Sequence, residues 1–278
     1  MVTNRQLDDF PSIKFAIETA LLDLENGGSR ILIDSKFTRE EAGIPINGLI
    51  WMGNKKDMVT QIEDKLNKGF SCLKLKVGAI HFDDELDILS AIREQFSERD
   101  LELRLDANGA FHPSMALHKL NRLSDFKIHS IEQPIMPGLF DEMAELCRIS
   151  PIPIALDEEL IGVKSTENRK QLLKIIKPAY IILKPSMLGG FNNTNEWIKL
   201  AIESDIGWWI TSALESNIGL SAIAQYTYAL GIKIPQGLGT GLLYSNNIKS
   251  PLYLSKDYLW FNKNNQWNYS FLKKQSIC

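Results

Sequence analysis

With 278 residues, 44% hydrophobic and 23% charged, the chain is long enough to bury a large core. Its 31 basic and 34 acidic residues leave a net charge of -3 without long single-sign blocks, which argues against a nucleic-acid footprint and a polybasic membrane patch. Cys72, Cys147 and Cys278 form no CxxC pair, and neither a signal peptide nor a bilayer-length apolar run is present, so a cytoplasmic protein acting on a small molecule is expected.

Residues 12–25, SIKFAIETALLDLE, place Ile13, Ala16, Ile17, Ala20, Leu21 and Leu24 at helical spacing between Pro11 and Gly27-Gly28, which predicts an amphipathic helix. After Pro45 short apolar strands alternate with helices. The strands are expected near 46–51, 72–77, 101–106, 127–132, 153–157, 180–184, 207–212 and 233–237. The intervening helices are expected at 55–68, 83–98, 114–123, 139–149, 166–176, 191–204 and 217–230. Eight strands alternating with seven helices predict parallel βα units. Beyond residue 245 the alternation stops, and an aromatic, Asn-rich tail predicts a hairpin or two strands outside the barrel, with KNNQ (263–266) as the turn.

The polar residues at the strand ends separate a closed barrel from an open sheet. Lys76, Asp106, Glu132, Asp157, Lys184 and Ser212 recur at intervals of 25 to 30 residues, one per βα unit and on the same sheet edge. In a barrel those ends surround one point, where such folds carry their active sites. The fold expected is therefore α/β, a (β/α)7β TIM-like barrel with a partial α+β capping domain: a cap remnant at 1–44, the barrel at 45–244, and a C-terminal segment at 245–278 that packs with the cap.

Period-two geometry selects the inward side chains. It pairs Lys74 with Lys76, Arg104 with Asp106, Ser130 with Glu132, Ala155 with Asp157, and Ile182 with Lys184. Asp106 and Asn108 in LDANGAF could each serve an ordinary turn. Three inward carboxylates on consecutive strands, however, repel one another unless a cation joins them. Oxygen donors without nearby His or Cys favour Mg2+ or Mn2+. Lys76 and Lys184 flank the acidic strands, an arrangement suited to removing a proton next to a carboxylate: one lysine takes the proton and the other faces the opposite side of the enediolate.

The GLGTG run at 237–241 offers backbone N–H groups for an anion through Gly237, Gly239 and Thr240. It opens no βαβ unit, so it does not read as a dinucleotide fingerprint. Thr211, Ser212 and Ser216 are candidates for a second carboxylate, with helix capping the alternative for Ser216. His81, His112, His118 and His129 show no metal-ligand spacing and are read as surface or loop residues. Trp208-Trp209 are read as packing residues.

KLK at 74–76, LDANGAF at 105–111, IEQP at 131–134, ALDEEL at 155–160 and ILKPSMLGG at 182–190 resemble, in order and spacing, the enolase superfamily, in the subgroup with a lysine on each side of the substrate. A lysine base with Mg2+ is established chemistry of that superfamily. The resemblance implies Asp106, Glu132 and Asp157 as metal ligands, Lys76 as the base with Lys74 beside it, and Lys184 as the opposing lysine. Asn108 and Glu158 would then support the ligands. PQGLGTGLLYSNN, with Tyr244, Asn246 and Asn247, resembles the o-succinylbenzoate synthase group, whose substrate is a cyclohexadiene carboxylate of menaquinone biosynthesis. N-acylamino-acid racemases and muconate-type cycloisomerases share the proton-abstraction step and stay as alternatives, as does a non-catalytic barrel. Members of this superfamily begin with a strand-rich capping segment, whereas this sequence starts at what resembles the last helix of that cap. A fragment, a start placed too far downstream and a natural short form all fit. Weak or absent activity and a tendency to associate are expected on this ground.

Overall fold

The computed structural model describes residues 7–270, so Cys278 and the outermost residues of the two expected end segments lie outside them. In chain order the elements are α1 (Pro11–Glu25), β1 (Ile44–Pro45), β2 (Gly48–Ile50), α2 (Lys55–Asn67), β3 (Cys72–Lys76), α3 (Phe82–Gln95), β4 (Glu102–Asp106) and α4 (Pro113–Ser124). Then come β5 (Ser130–Glu132), α5 (Phe140–Ile149), β6 (Ile154–Leu156), α6 (Thr166–Ile176), β7 (Tyr180–Leu183), α7 (Pro185–Leu188), α8 (Phe191–Glu203), β8 (Gly207–Ile210), α9 (Asn217–Ala229), β9 (Leu252–Ser255) and β10 (Tyr258–Phe261). The chain forms two compact units. One, the sheet unit, comprises Asn47–Leu183 and Asn195–Trp209; the terminal unit takes the residues up to Ile46, Lys184–Thr194, and those from Ile210 onward. Among the described residues no helix is long and apolar enough to cross a membrane.

In the sheet unit β2 to β8 lie side by side in sequence order. Each strand returns through a helix to its neighbour, as parallel pairing requires. One strand face is uniformly apolar: Leu73, Leu75, Leu103, Leu105 and Ile131 are almost fully buried. The alternate face carries the polar residues. Lys74 is in register with Arg104 and Arg104 with Ser130; one rung further, Lys76 faces Asp106 and Asp106 faces Glu132. On the same face Ala155, Ile182 and Trp209 form a packed cluster joined by Tyr180. The Arg104 guanidinium lies 4.4 Å from the Trp209 ring centre and donates from Nε to Glu102 Oε1 at 2.7 Å. His129, read as a surface or loop residue, lies in the loop just before β5 and is half-buried there. Its ring stacks on Tyr180 at 5.1 Å and meets Trp209 edge-on at 6.2 Å, because it directly precedes β5 beneath this aromatic layer. Two helix starts in this unit follow ordinary capping: Asn54 Oδ1 accepts from Asp57 N at 2.9 Å, and Ser165 Oγ accepts from Asn168 N at 3.1 Å.

The expected strand at 233–237 is absent as a continuous element. Gln236 and Gly237 make only single bridges, to Ile46 and Thr211. Pro235 has no N–H to donate, and the Gln236 side chain takes over the ladder's role: its amide accepts from Ile210 N and donates to Ile234 O, both at 2.8 Å. The C-terminal hairpin is present, but its turn is not KNNQ. β9 and β10 pair antiparallel around Lys256-Asp257, with Lys256 at φ 54°, and β10 also pairs with β1. Within the terminal unit α1 packs on α7, with Ser12 Oγ donating to Ser186 O at 3.1 Å and Phe15 edge-on to Phe191 at 5.4 Å. The opposite side of α1 leaves Ile13, Ile17, Leu21 and Leu24 exposed.

Candidate active site

Asp106 and Glu132 end consecutive strands on one rung, and Asp157 stands just past the end of β6. All three are essentially inaccessible to solvent. One carboxylate oxygen from each lies within 4.8 Å of the others. Two lysines from β3 neutralise part of this charge. Lys74 Nζ is 2.5 Å from Glu132 Oε2 and 2.9 Å from Asp106 Oδ2; Lys76 Nζ is 2.6 Å from Asp106 Oδ2 and 2.6 Å from Asn108 Oδ1. The Trp51 ring centre is 5.8 Å from the Lys76 ammonium.

Burial disfavours every charge in this cluster, and the balance differs from group to group. Burial alone would raise Asp106, yet the ammonium groups of Lys74 and Lys76 outweigh it and hold the carboxyl below the ordinary range. For Lys74 burial works downward, but Asp106, Glu132 and Asp157 together keep it above the usual lysine value. Glu132 is pushed up to about 8, by burial first and then by Asp106 and Asp157, against the pull of Lys74. Its Oε1 is buried with no hydrogen-bond partner. An orphaned buried carboxylate oxygen beside two further carboxylates is a costly arrangement for a site meant to be complete. A divalent cation with oxygen ligands fits this donor set, since it would satisfy that oxygen and cancel the mutual repulsion.

Asn108, at φ 43°, joins the two supporting positions expected from the sequence: its Nδ2 donates to Glu158 Oε1 at 2.8 Å while its Oδ1 accepts from Lys76. In the terminal unit Thr211, Ser212 and Thr240 are buried and share one hydrogen-bonded cluster. The Thr211 and Ser212 hydroxyls reach Gly237 O at 2.8 and 3.1 Å, and Ser212 meets Thr240 Oγ1 at 2.7 Å. A Cβ at Gly237 would overlap the Thr211 hydroxyl, so close packing alone already demands glycine there. Gly239 precedes the 3-10 turn Thr240–Leu242. Lys184 follows β7 directly and belongs to the terminal unit. Ser216 occupies the first position before α9 but makes no side-chain cap. Two residues near the triad were not singled out from the sequence. Trp51 follows β2 and, since Leu49 is in register with Lys74, alternates onto the inner face beside Lys76, whereas Gln133 follows Glu132 where alternation turns a side chain away from that face.

The carboxylate rung and the β3 lysines lie inside a stretch that matches a known family. Residues 57–246 fit the model of the enolase C-terminal domain-like family. The chain belongs to that family. Among relatives of this enolase-like chain, a protein of Desulfotalea psychrophila named o-succinylbenzoate synthase is 58% identical over 243 residues, covering 87% of this chain and 66% of that protein. The crystal structure of MenC from the same organism superposes with a TM-score of 0.85 at 56% identity, covering 90% of this chain and 69% of that one. A Bacillus cereus protein named N-succinyl-L-Arg/Lys racemase is 26% identical over 203 residues, covering 70% of this chain and 52% of its own length. The enolase-like chain thus spans just under two thirds of the first of these curated relatives and about half of the second. The α/β architecture, a curled parallel sheet with a small antiparallel sheet, is the fold of this superfamily's barrels.

Proposed function

We propose that this chain carries the barrel chemistry of an o-succinylbenzoate synthase: loss of water from 2-succinyl-6-hydroxy-2,4-cyclohexadiene-1-carboxylate to give 2-succinylbenzoate. The observation that carries the reading is the single rung on which Lys76, Asp106 and Glu132 stand in register, in a chain 58% identical to a protein of that name. Asp106, Glu132 and Asp157 would hold Mg2+, or Mn2+ in its place, and the bound dication would lower the cost of concentrating negative charge on the substrate carboxylate.

Lys76 is assigned as the base. Its Nζ is fixed by Asp106 and Asn108, so a proton taken from the carbon next to the ring carboxylate arrives at a positioned nitrogen. The electron pair of that C–H bond moves toward the carboxylate, then closes the aromatic ring as the C–O bond to hydroxide breaks. The departing hydroxide needs one proton, and Lys76 has just gained one. Lys184 is assigned as the second lysine on its place after the sixth strand expected from the sequence, its ammonium offsetting the enediolate charge. The hydroxyl cluster of Thr211, Ser212 and Thr240 with the Gly237 and Gly239 backbone is assigned to the substrate's second carboxylate. The cellular setting proposed is the cytoplasm.

Racemisation of N-succinyl amino acids is the second reading, favoured by the match to the racemase and by the shared proton-abstraction step. The test is a paired assay with Mg2+ on this chain: loss of the cyclohexadiene absorbance beside optical rotation of N-succinyl amino acids. Dehydration alone or in excess supports the synthase reading, and racemisation without dehydration replaces it. Failure of both, also after an upstream capping segment is supplied, favours a non-catalytic barrel.

A further inference from the structure

Gln133 lies at the junction of all three strand ends that carry the triad. It is fully buried and sits at φ 38°, a left-handed conformation that a side-chain-bearing residue adopts only when its surroundings impose it. The backbone explains part of the constraint. Gln133 N donates to Ala155 O at 2.9 Å, the last rung toward β6, while Gln133 O accepts from Gly109 N at 2.7 Å in the loop after Asp106. Ala107 N donates to Glu132 O at 3.0 Å one residue earlier.

The side chain completes the junction. Past Ala155 the β5–β6 ladder has ended, yet the N–H groups of Asp157 and Glu159 are buried there and need acceptors. Gln133 Oε1 accepts from both, at 3.2 and 3.3 Å. Its Nε2 donates to Ile135 O at 3.1 Å and to Glu159 Oε2 at 2.9 Å, and Glu159 Oε1 accepts from Gly138 N at 2.7 Å. These partners also fix which way the amide points, since two N–H donors face its oxygen and two oxygens face its nitrogen. Asp157 itself has φ -125° and ψ -81°, outside the regular strand and helix conformations. One amide therefore acts as an additional ladder rung and holds Asp157 in a conformation that its own strand does not dictate.

We infer that Gln133 is a positioning residue for the carboxylate triad: its side-chain amide, locked by Glu159, sets where Asp157 stands relative to Asp106 and Glu132. The inference rests on the metal reading of the triad proposed above. Groups that orient metal ligands are typically worth tenfold to a hundredfold in metal affinity. Glu159 belongs to the same device, because a carboxylate opposite Nε2 is what keeps the amide from turning over.

The test measures Mn2+ binding to the whole chain by the loss of the free-ion paramagnetic resonance signal, together with the thermal midpoint of the metal-free protein. Gln133→Met, which keeps the volume and removes the hydrogen bonds, is expected to weaken Mn2+ about tenfold to a hundredfold with a folded baseline intact. Gln133→Glu sets two carboxylates face to face and is expected to be as weak. Gln133→Glu combined with Glu159→Gln exchanges amide and carboxylate and restores the contact between these two side chains, while Ile135 O loses its donor, so this double variant is expected to bind more tightly than Gln133→Glu without reaching the unsubstituted chain. A role in stability alone would not produce that rescue of affinity. Unchanged affinity in Gln133→Met, or a double variant no better than Gln133→Glu, overturns the inference while leaving the metal site standing. If Gln133→Met does not fold, the comparison of Gln133→Glu with the double variant decides by the same criterion. Absence of Mn2+ binding in the unsubstituted chain overturns the triad reading and this inference with it.

Discussion

Lys76 is tied to Asp106 and Asn108 on one side and lies beside the Trp51 ring on the other. Lys76→Ala is expected to lower turnover by at least about a hundredfold, the usual worth of a general base, while Mn2+ binding persists because a cation competing for Asp106 has been removed. Retained turnover in a steady-state assay would reassign the base. Glu132 gives a second outcome. With its carboxyl pushed up to about 8, the metal-free site holds a proton there at neutral pH. A dication must displace it, so affinity is expected to rise with pH until about 8 and then level, with about one proton released per metal below that point. Calorimetry at pH 7 in two buffers of different ionisation enthalpy measures the release. Asp106 would contribute no such proton, being held in its charged form by both lysines. Period-two counting suffices to find these groups, since each of Lys74, Lys76, Asp106 and Glu132 shares an inner strand face. The same counting hides Gln133, whose side chain departs from alternation only because the backbone turns left-handed after Glu132.

Strand ends, not strand middles, were the harder elements to read. Most helices fall within a residue or two of their expected limits, because apolar periodicity and caps such as Asn54 and Ser165 are local signals; α3 ends three residues before its expected limit, and the short α7 is not among the helices expected. The expected strand at 233–237 fails because the pairing partners of a strand are remote in sequence, and a side-chain amide at Gln236 can replace a rung that Pro235 cannot supply. The hairpin turn fails for a related reason: KNNQ has turn composition, yet the pairing of Tyr258 with Ser255 places the reversal at Lys256-Asp257. In the loop after β4 the glycine is needed twice over. Gly109 has φ 75°, and a Cβ there would stand 3.1 Å from Met136 Cα. Gly109→Ala is expected to cost about 1–2 kcal/mol in urea denaturation from the left-handed backbone alone. It is also expected to weaken Mn2+ binding, since the Gly109 N–H anchors the loop to Gln133. Stability equal to that of the unsubstituted chain would mean the loop relaxes freely.

At the scale of the whole chain, all three carboxylates and both β3 lysines belong to the sheet unit, while Lys184 and the hydroxyl cluster belong to the terminal unit. A chain of this length with two compact units is expected to depart from two-state unfolding. Mn2+ at about one hundred times its dissociation constant should stabilise the unit that binds it by about 2.7 kcal/mol. Thermal scans with and without the ion are expected to show one transition moving and the other staying. Equal movement of both would mean that the units unfold together. The sheet register has one more consequence, for how such a sequence can vary over evolutionary time. Because Lys76, Asp106 and Glu132 share a rung, each has its place fixed by strand pairing and not by the length of the helix that joins it to the next. Insertions within α3 or α4 should therefore be tolerated in a deletion and insertion scan. A single residue lost inside β3, β4 or β5 turns that strand over and takes its functional group off the inner face.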